Sequence, residues 1–152
     1  MRAGATRPVI RSYEDIEAYQ RAMALLAPVH RLALTLPEYE RYELASQIRR
    51  ASKSIPANVA EGYGKKRSVR HFKAFLDNAL GSANEVIVHL KIAGALDYAS
   101  SDEVSELVDG YTIVAKQLHM LIETWQSFDK PPNGGSRIPP PASNIQRARS
   151  RI

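Results

Sequence analysis

No cysteine occurs among the 152 residues, which excludes disulfide frameworks, thiolate-bound metals and iron–sulfur clusters. No apolar run approaches the roughly 18 uninterrupted residues that read as a membrane-spanning helix. Arg2, Arg7 and Arg11 open the chain without the apolar stretch of a secretory leader behind them. These absences lead to the expectation of a soluble, cytoplasmic domain with no membrane contact. Catalytic spacings are missing as well. His30, His71, His89 and His119 form no H-x-x-x-H or H-E-x-x-H pair, the pattern of a helical zinc site. No Glu-x-x-His, the pair that di-iron bundles repeat, is present. No serine stands in a nucleophile elbow. The expectation is a nonenzymatic protein that takes no cofactor and no metal ion.

What charge there is lies unevenly. The net charge of +5 comes from the ends: residues 1–11 carry +3, residues 129–152 carry +4, and the stretch between sums to −2. Overall basicity therefore says little about the middle of the chain. Within that middle stretch, a single segment stands out. From Arg49 to Lys73 there are eight cations, namely Arg49, Arg50, Lys53, Lys65, Lys66, Arg67, Arg70 and Lys73, against Glu61 alone.

Proline, glycine and arginine dominate residues 129–152, with Pro131-Pro132, Gly134-Gly135 and Pro139-Pro140-Pro141. Such a segment buries too little surface to offset its ordering, so it is expected to be disordered, as are residues 1–11. The arginines Arg147, Arg149 and Arg151 read as a solubilising or nonspecific electrostatic arm. Between the ends, residues 12–128 show four helical patterns and no convincing strand. The first opens on Ser12 with Asp15 three residues on, a capping-box spacing, and runs to about Leu36 with Pro28 inside it. It carries two apolar stripes, one through Ile16, Tyr19, Met23, Leu26 and Ala33, the other through Leu25, Val29, Leu32 and Leu36. The second covers about Glu38 to Glu61, with Leu44, Ile48, Ala51, Ile55 and Val59 on one face, Pro56 inside and Gly62 as a stop. The third runs from a Ser68 cap to about Gly94, and its residues Phe72, Leu76, Ala79, Ala83, Val86, Leu90 and Ala93 alternate by four and three. The fourth begins at Ser100 or Ser101 and places Val104, Leu107, Tyr111, Val114, Leu118, Leu121 and Trp125 on one stripe. Four long helices with short connections give an all-α, antiparallel up-down four-helix bundle. The surplus stripes, the second row on the first helix and Val108, Ala115 and Ile122 seven apart on the fourth, require either a wide core or a second copy of the chain.

Several runs also resemble a known family. Ser12-Tyr13-Glu14-Asp15-Ile16-Glu17-Ala18-Tyr19 is similar to its opening. So are Ser46-Gln47-Ile48-Arg49-Arg50-Ala51 and Ser54-Ile55-Pro56-Ala57-Asn58-Val59-Ala60-Glu61-Gly62, then Phe72, Phe75-Leu76 and Ala79-Leu80-Gly81-Ser82-Ala83-Asn84-Glu85. Over about residues 12–128 the chain resembles the bacterial 23S rRNA-intervening-sequence proteins. The resemblance implies a four-helix bundle assembled as a homopentamer, and a link to RNA. A related branch, the accessory variability determinant of diversity-generating retroelements, implies contact with nucleic acid and with a reverse transcriptase.

Two constellations are candidate sites. The eight cations from Arg49 to Lys73 are the candidate nucleic-acid-binding residues. Among them the loop Gly62-Tyr63-Gly64-Lys65-Lys66-Arg67-Ser68 leads into a helix N-terminus, where backbone N–H groups favour anions, although it lacks the spacing of a nucleotide P-loop. A solvated charged turn is the competing reading. Tyr63 either stacks on a base or anchors the turn on the bundle. The second constellation is a polar stripe, Gln47, Arg50, Ser54, Asn58 and Glu61, with Asn78, Ser82, Glu85 and His89 on the following helix. Facing each other, these form either a structural seam, with Arg50 paired to Glu85 or Glu61, or a site for a ligand or protein. The expected partners are further copies of the chain, RNA or DNA, and alternatively a protein that uses the bundle as a scaffold.

Overall fold

The computed structural model describes residues 9–125. The expectations for the tail and for residues 1–8 lie outside the described residues. Within them there are four α-helices and no strand: α1 Glu17–Thr35, α2 Leu44–Gly64, α3 Val69–Ala95 and α4 Ser101–Thr124. α1 packs on α2, α2 on α3, α3 on α4 and α4 back on α1, while the backbones of the diagonal pairs stay apart. That is the antiparallel four-helix bundle the patterns imply. No described helix is long and apolar enough to cross a membrane.

The core is made by the stripes. All seven heptad residues of α3 are fully buried, and they share the core with Ile48, Ile55 and Val59 of α2, Val29 of α1, and Tyr111, Val114 and Leu118 of α4. The surplus apolar positions divide. Ile16 and Ala33 are buried with the core, Tyr19 and Leu26 are half-buried, and Met23 is exposed. α1 and α2 run without interruption through Pro28 and Pro56.

The helix starts depart from expectation for local reasons. Ser12 and Asp15 do form a capping box, but it closes a single 3-10 turn, Tyr13–Asp15. Ile16 then turns extended to reach the core, so α1 begins one residue later. α2 starts at Leu44 instead of Glu38, because Glu38–Glu40 forms a 3-10 turn and Glu43 has a non-helical backbone. The Glu40 carboxylate, 3.1 Å from the Leu44 N–H, satisfies that free donor. The starts at Ser68 and Ser100 match expectation, each hydroxyl accepting a backbone N–H three residues on.

Gly62 does not end α2, which continues to Gly64. A Cβ built on Gly62 would lie 2.5 Å from the Cβ of Phe75. The glycine is there so that α2 and α3 can approach. α3 ends in a Schellman motif, with Asp97 in the left-handed region (φ 57°), its N–H bonded to Gly94 O and that of Tyr98 to Ala93 O. The Tyr98 hydroxyl then reaches Glu40 at 3.1 Å and Tyr39 at 3.2 Å. This joins the α1–α2 and α3–α4 connections at one end of the bundle.

Candidate nucleic-acid interface

The eight cations form two groups. Arg49, Arg50 and Lys53 lie on the first half of α2, whereas Lys65, Lys66, Arg67, Arg70 and Lys73 surround the α2–α3 connection. The nearest members of the two groups, Lys53 and Lys65, are twelve positions apart, and at about 1.5 Å per helical residue the groups stand about 18 Å apart. A continuous stretch in sequence is thus two patches in space.

The connection itself is a compact turn. Lys65 N–H bonds Gly62 O at 2.9 Å, Lys66 N–H bonds Tyr63 O at 3.2 Å, and Ser68 N–H bonds Lys65 O at 3.1 Å. Tyr63 is buried, edge-on to Phe72 with ring centroids 6.1 Å apart, and Phe72 meets Trp125 at 4.6 Å. Tyr63 therefore anchors the turn; its ring is not free to stack on a base. Its hydroxyl accepts from Lys66 Nζ at 2.8 Å, and the same ammonium lies 4.0 Å from the ring centroid. Lys65 Nζ sits 4.8 Å over the Phe75 ring. Two of the loop's cations are thus placed by aromatic rings, which fix their position without neutralising them. Arg67 and Arg70 are exposed. Among the described residues, none of the eight cations has a carboxylate within 4 Å, since the ion pairs present involve Arg41, His89 and His119. The first turn of α3 contains no acidic residue, so its free N–H groups add to the positive field.

On α2 the cations are less alike. Arg49 is half-buried and its guanidinium donates to the Arg41 carbonyl at 3.0 Å, which ties the turn before α2 to the helix. Arg50 and Lys53 are exposed. Arg50 does not pair with Glu85 or Glu61: Glu85 instead turns to His89 on its own helix, 3.2 Å away. The two polar stripes nevertheless meet. The Ser54 hydroxyl bonds both Ala51 O at 2.8 Å and the Ser82 hydroxyl at 2.6 Å, and Asn58 donates to Ser54 O at 2.8 Å. The Ser54–Ser82 bond joins α2 to α3, while Asn58 bonds back within α2.

The family model for "23S rRNA-intervening sequence protein" matches residues 14–120. The chain belongs to that family. In this chain a cationic turn with no ion-pair partner among the described residues is carried at one end of an antiparallel bundle. The fold has a solved counterpart in a protein with unknown function from the S23 ribosomal protein family of Bacteroides thetaiotaomicron. That crystal structure superposes with a TM-score of 0.64 at 24% identity, covering 70% of this chain and 99% of the other. None of the curated proteins matches the chain. Among the described residues, no three His, Asp or Glu side chains are grouped to hold a metal ion.

What sequence reasoning missed lies at the opposite end. Leu34, Tyr39, Tyr42, Ile92 and Leu96 are exposed there, Tyr42 and Leu34 at 82% and 80%. The spacing of Tyr39 and Tyr42 within Glu38-Tyr39-Glu40-Arg41-Tyr42-Glu43 was the available signal, hidden by the expectation of a helix from Glu38. Tyr42, Gln47, Arg50 and Ile92 line a cleft of about 480 Å³.

Proposed function

We propose that this protein is a nonenzymatic homo-oligomer that holds RNA or DNA by its phosphates through Lys65, Lys66, Arg67, Arg70 and Lys73. The observation that carries the reading is that these five cations gather at one helix N-terminus with no carboxylate of the described residues within 4 Å of any of them. A structural charge network would pair them. Phosphate binding instead leaves them open, because its free energy comes from releasing condensed counterions when the contact forms. The "23S rRNA" in the family description favours RNA, and a cytoplasmic location goes with it. Repetition around a closed assembly, the pentamer that the resemblance implies, multiplies the effect of each turn.

Salt dependence tests this. If all five cations engage a duplex, log K against log salt has a slope of roughly −4.5, and roughly −3.5 for a single strand. Binding is to be measured on the full chain and on a variant with Lys65, Arg67 and Arg70 changed to alanine. The reading expects a steep slope that flattens in the variant. Absence of binding at low salt overturns it.

The exposed apolar end favours a second reading, in which the bundle is a scaffold for a protein partner and the cations are merely solvated. On that reading nucleic-acid affinity is weak and the variant changes nothing.

A further inference from the structure

Two ridges on the outside of the bundle, one apolar and one half acidic, have no partner among the described residues. On α1, Met23, Ala27, His30 and Leu34 follow one another by four, three and four residues, and Met23, Ala27 and Leu34 are exposed. That spacing puts them on one side of the helix. Beside the ridge, Leu34 shares a cleft of about 450 Å³ with Arg49 and with the Arg41–Glu38 ion pair (3.7 Å), which leaves Arg49 as the cation there without a carboxylate among the described residues. Lys53, one turn further along α2, is exposed.

α4 carries the counterpart. Asp102, Glu106, Asp109, Ile113, Lys116 and Met120 follow by four, three, four, three and four, and all six are exposed. The ridge is acidic over its first two turns and apolar beyond them, with Ile113 40% and Met120 58% exposed. None of its carboxylates has an ion-pair partner among the described residues. Lys116 is its one cation, and its long stem can lie along the apolar part while the ammonium reaches water.

We propose that a second copy of the chain lays its α4 ridge on the α1–α2 face, an interface that rests on the homo-oligomer reading above. Glu106 and Asp109 meet Arg49 and Lys53, and Ile113 and Met120 cover Met23, Ala27 and Leu34. Both surfaces repeat every seven residues, the spacing that lets side chains of one helix enter the gaps of another. Because the two faces differ, the contact is heterologous, so it closes into a ring or runs on as a filament. Neither face includes Lys65 to Lys73.

Charge exchange tests the interface. Light scattering of the full chain is expected to give an assembly, with Glu106→Lys/Asp109→Lys and Arg49→Glu/Lys53→Glu each falling to the mass of a single chain. Combining all four substitutions is expected to restore the assembly. Circular dichroism at unchanged helicity confirms the fold in each case. The chain has no cysteine, so Met23→Cys and Ile113→Cys variants offer an independent check. Co-expressed and oxidised, they are expected to cross-link to each other. A wild-type mass of one chain overturns self-association as a whole. An assembled wild type whose mass survives both reversals, with no Met23–Ile113 cross-link, overturns this interface and leaves self-association standing.

Discussion

Tyr63 and Tyr111 solve the same problem in opposite ways. Each brings a phenol into the bundle, where an unbonded hydroxyl costs on the order of 1–3 kcal/mol. Tyr63 bonds its hydroxyl to Lys66 at 2.8 Å. Tyr111 is fully buried and its hydroxyl has no hydrogen-bond partner among the described residues. Desolvation pushes its pKa well above the usual 10.0. The folded state therefore holds the Tyr111 proton at pH values where the unfolded chain has released it. Its neutral form is stable in both states below pH 10, and above that the unfolded state gains by ionising. Stability falls there by about 1.4 kcal/mol per pH unit for this one group. Tyr111→Phe is expected to stabilise the protein by about 1 kcal/mol at pH 7. It should also remove that share of the alkaline loss. Urea denaturation at pH 7 and pH 11 measures both, and a variant less stable at pH 7 would contradict the first.

Among the elements, the α2–α3 pair is the one most dependent on small side chains. Gly62 sits against Phe75 and Phe72, and Ser54 bonds Ser82 across the gap. Alanine at position 62 gains up to about 1 kcal/mol in helix propensity. It also forces its methyl to within 2.5 Å of the Phe75 Cβ, an atom fixed to the α3 backbone. Relieving such overlap costs about 1–3 kcal/mol, so the loss wins. Gly62→Ala is expected to destabilise by about 1–2 kcal/mol on balance. Gly81, mid-α3 with nothing within 4 Å of its would-be Cβ, is the control: Gly81→Ala is expected to stabilise by up to about 1 kcal/mol. The midpoints of chemical denaturation should move in opposite directions. This pair also shows where sequence periodicity stops. The heptad of α3 was legible to the last residue, because burial of Phe72 to Ala93 is a one-helix property. The role of Gly62 was not, since a glycine near a helix end reads as a stop and its real constraint lies 13 residues away on another helix. Likewise Glu40 and Ile16 override the apparent starts of α2 and α1 through contacts that local propensity does not contain. For the candidate site, residue types and loop were legible. The pinning of Lys65 and Lys66 on rings was not, because it depends on how α2 and α3 meet.

At the scale of the whole molecule, the decisive fact is that one basic run in sequence becomes two patches about 18 Å apart. Arg49 shares a cleft with Leu34 of the α1 ridge and Lys53 lies one turn further along α2, while Lys65 to Lys73 crown the far end of α2. If both served phosphates, removing either would weaken nucleic-acid binding in proportion to the charges lost. If the two patches divide the labour of assembly and phosphate binding, the two sets of substitutions act on different measurements. Lys65→Glu/Arg67→Glu/Arg70→Glu is expected to reduce the salt slope of RNA binding by roughly 2 to 3 while the mass of the assembly stays that of wild type. Arg49→Glu/Lys53→Glu is expected to dissociate the assembly. Each separated chain then keeps its cationic turn, so RNA affinity falls only by the loss of multivalency, and the slope per chain is retained. The pairing of light scattering with salt titration on these two variants reads the division directly. A slope that falls equally in both would make the eight cations one surface, and the separation between the patches would then be the length of its footprint.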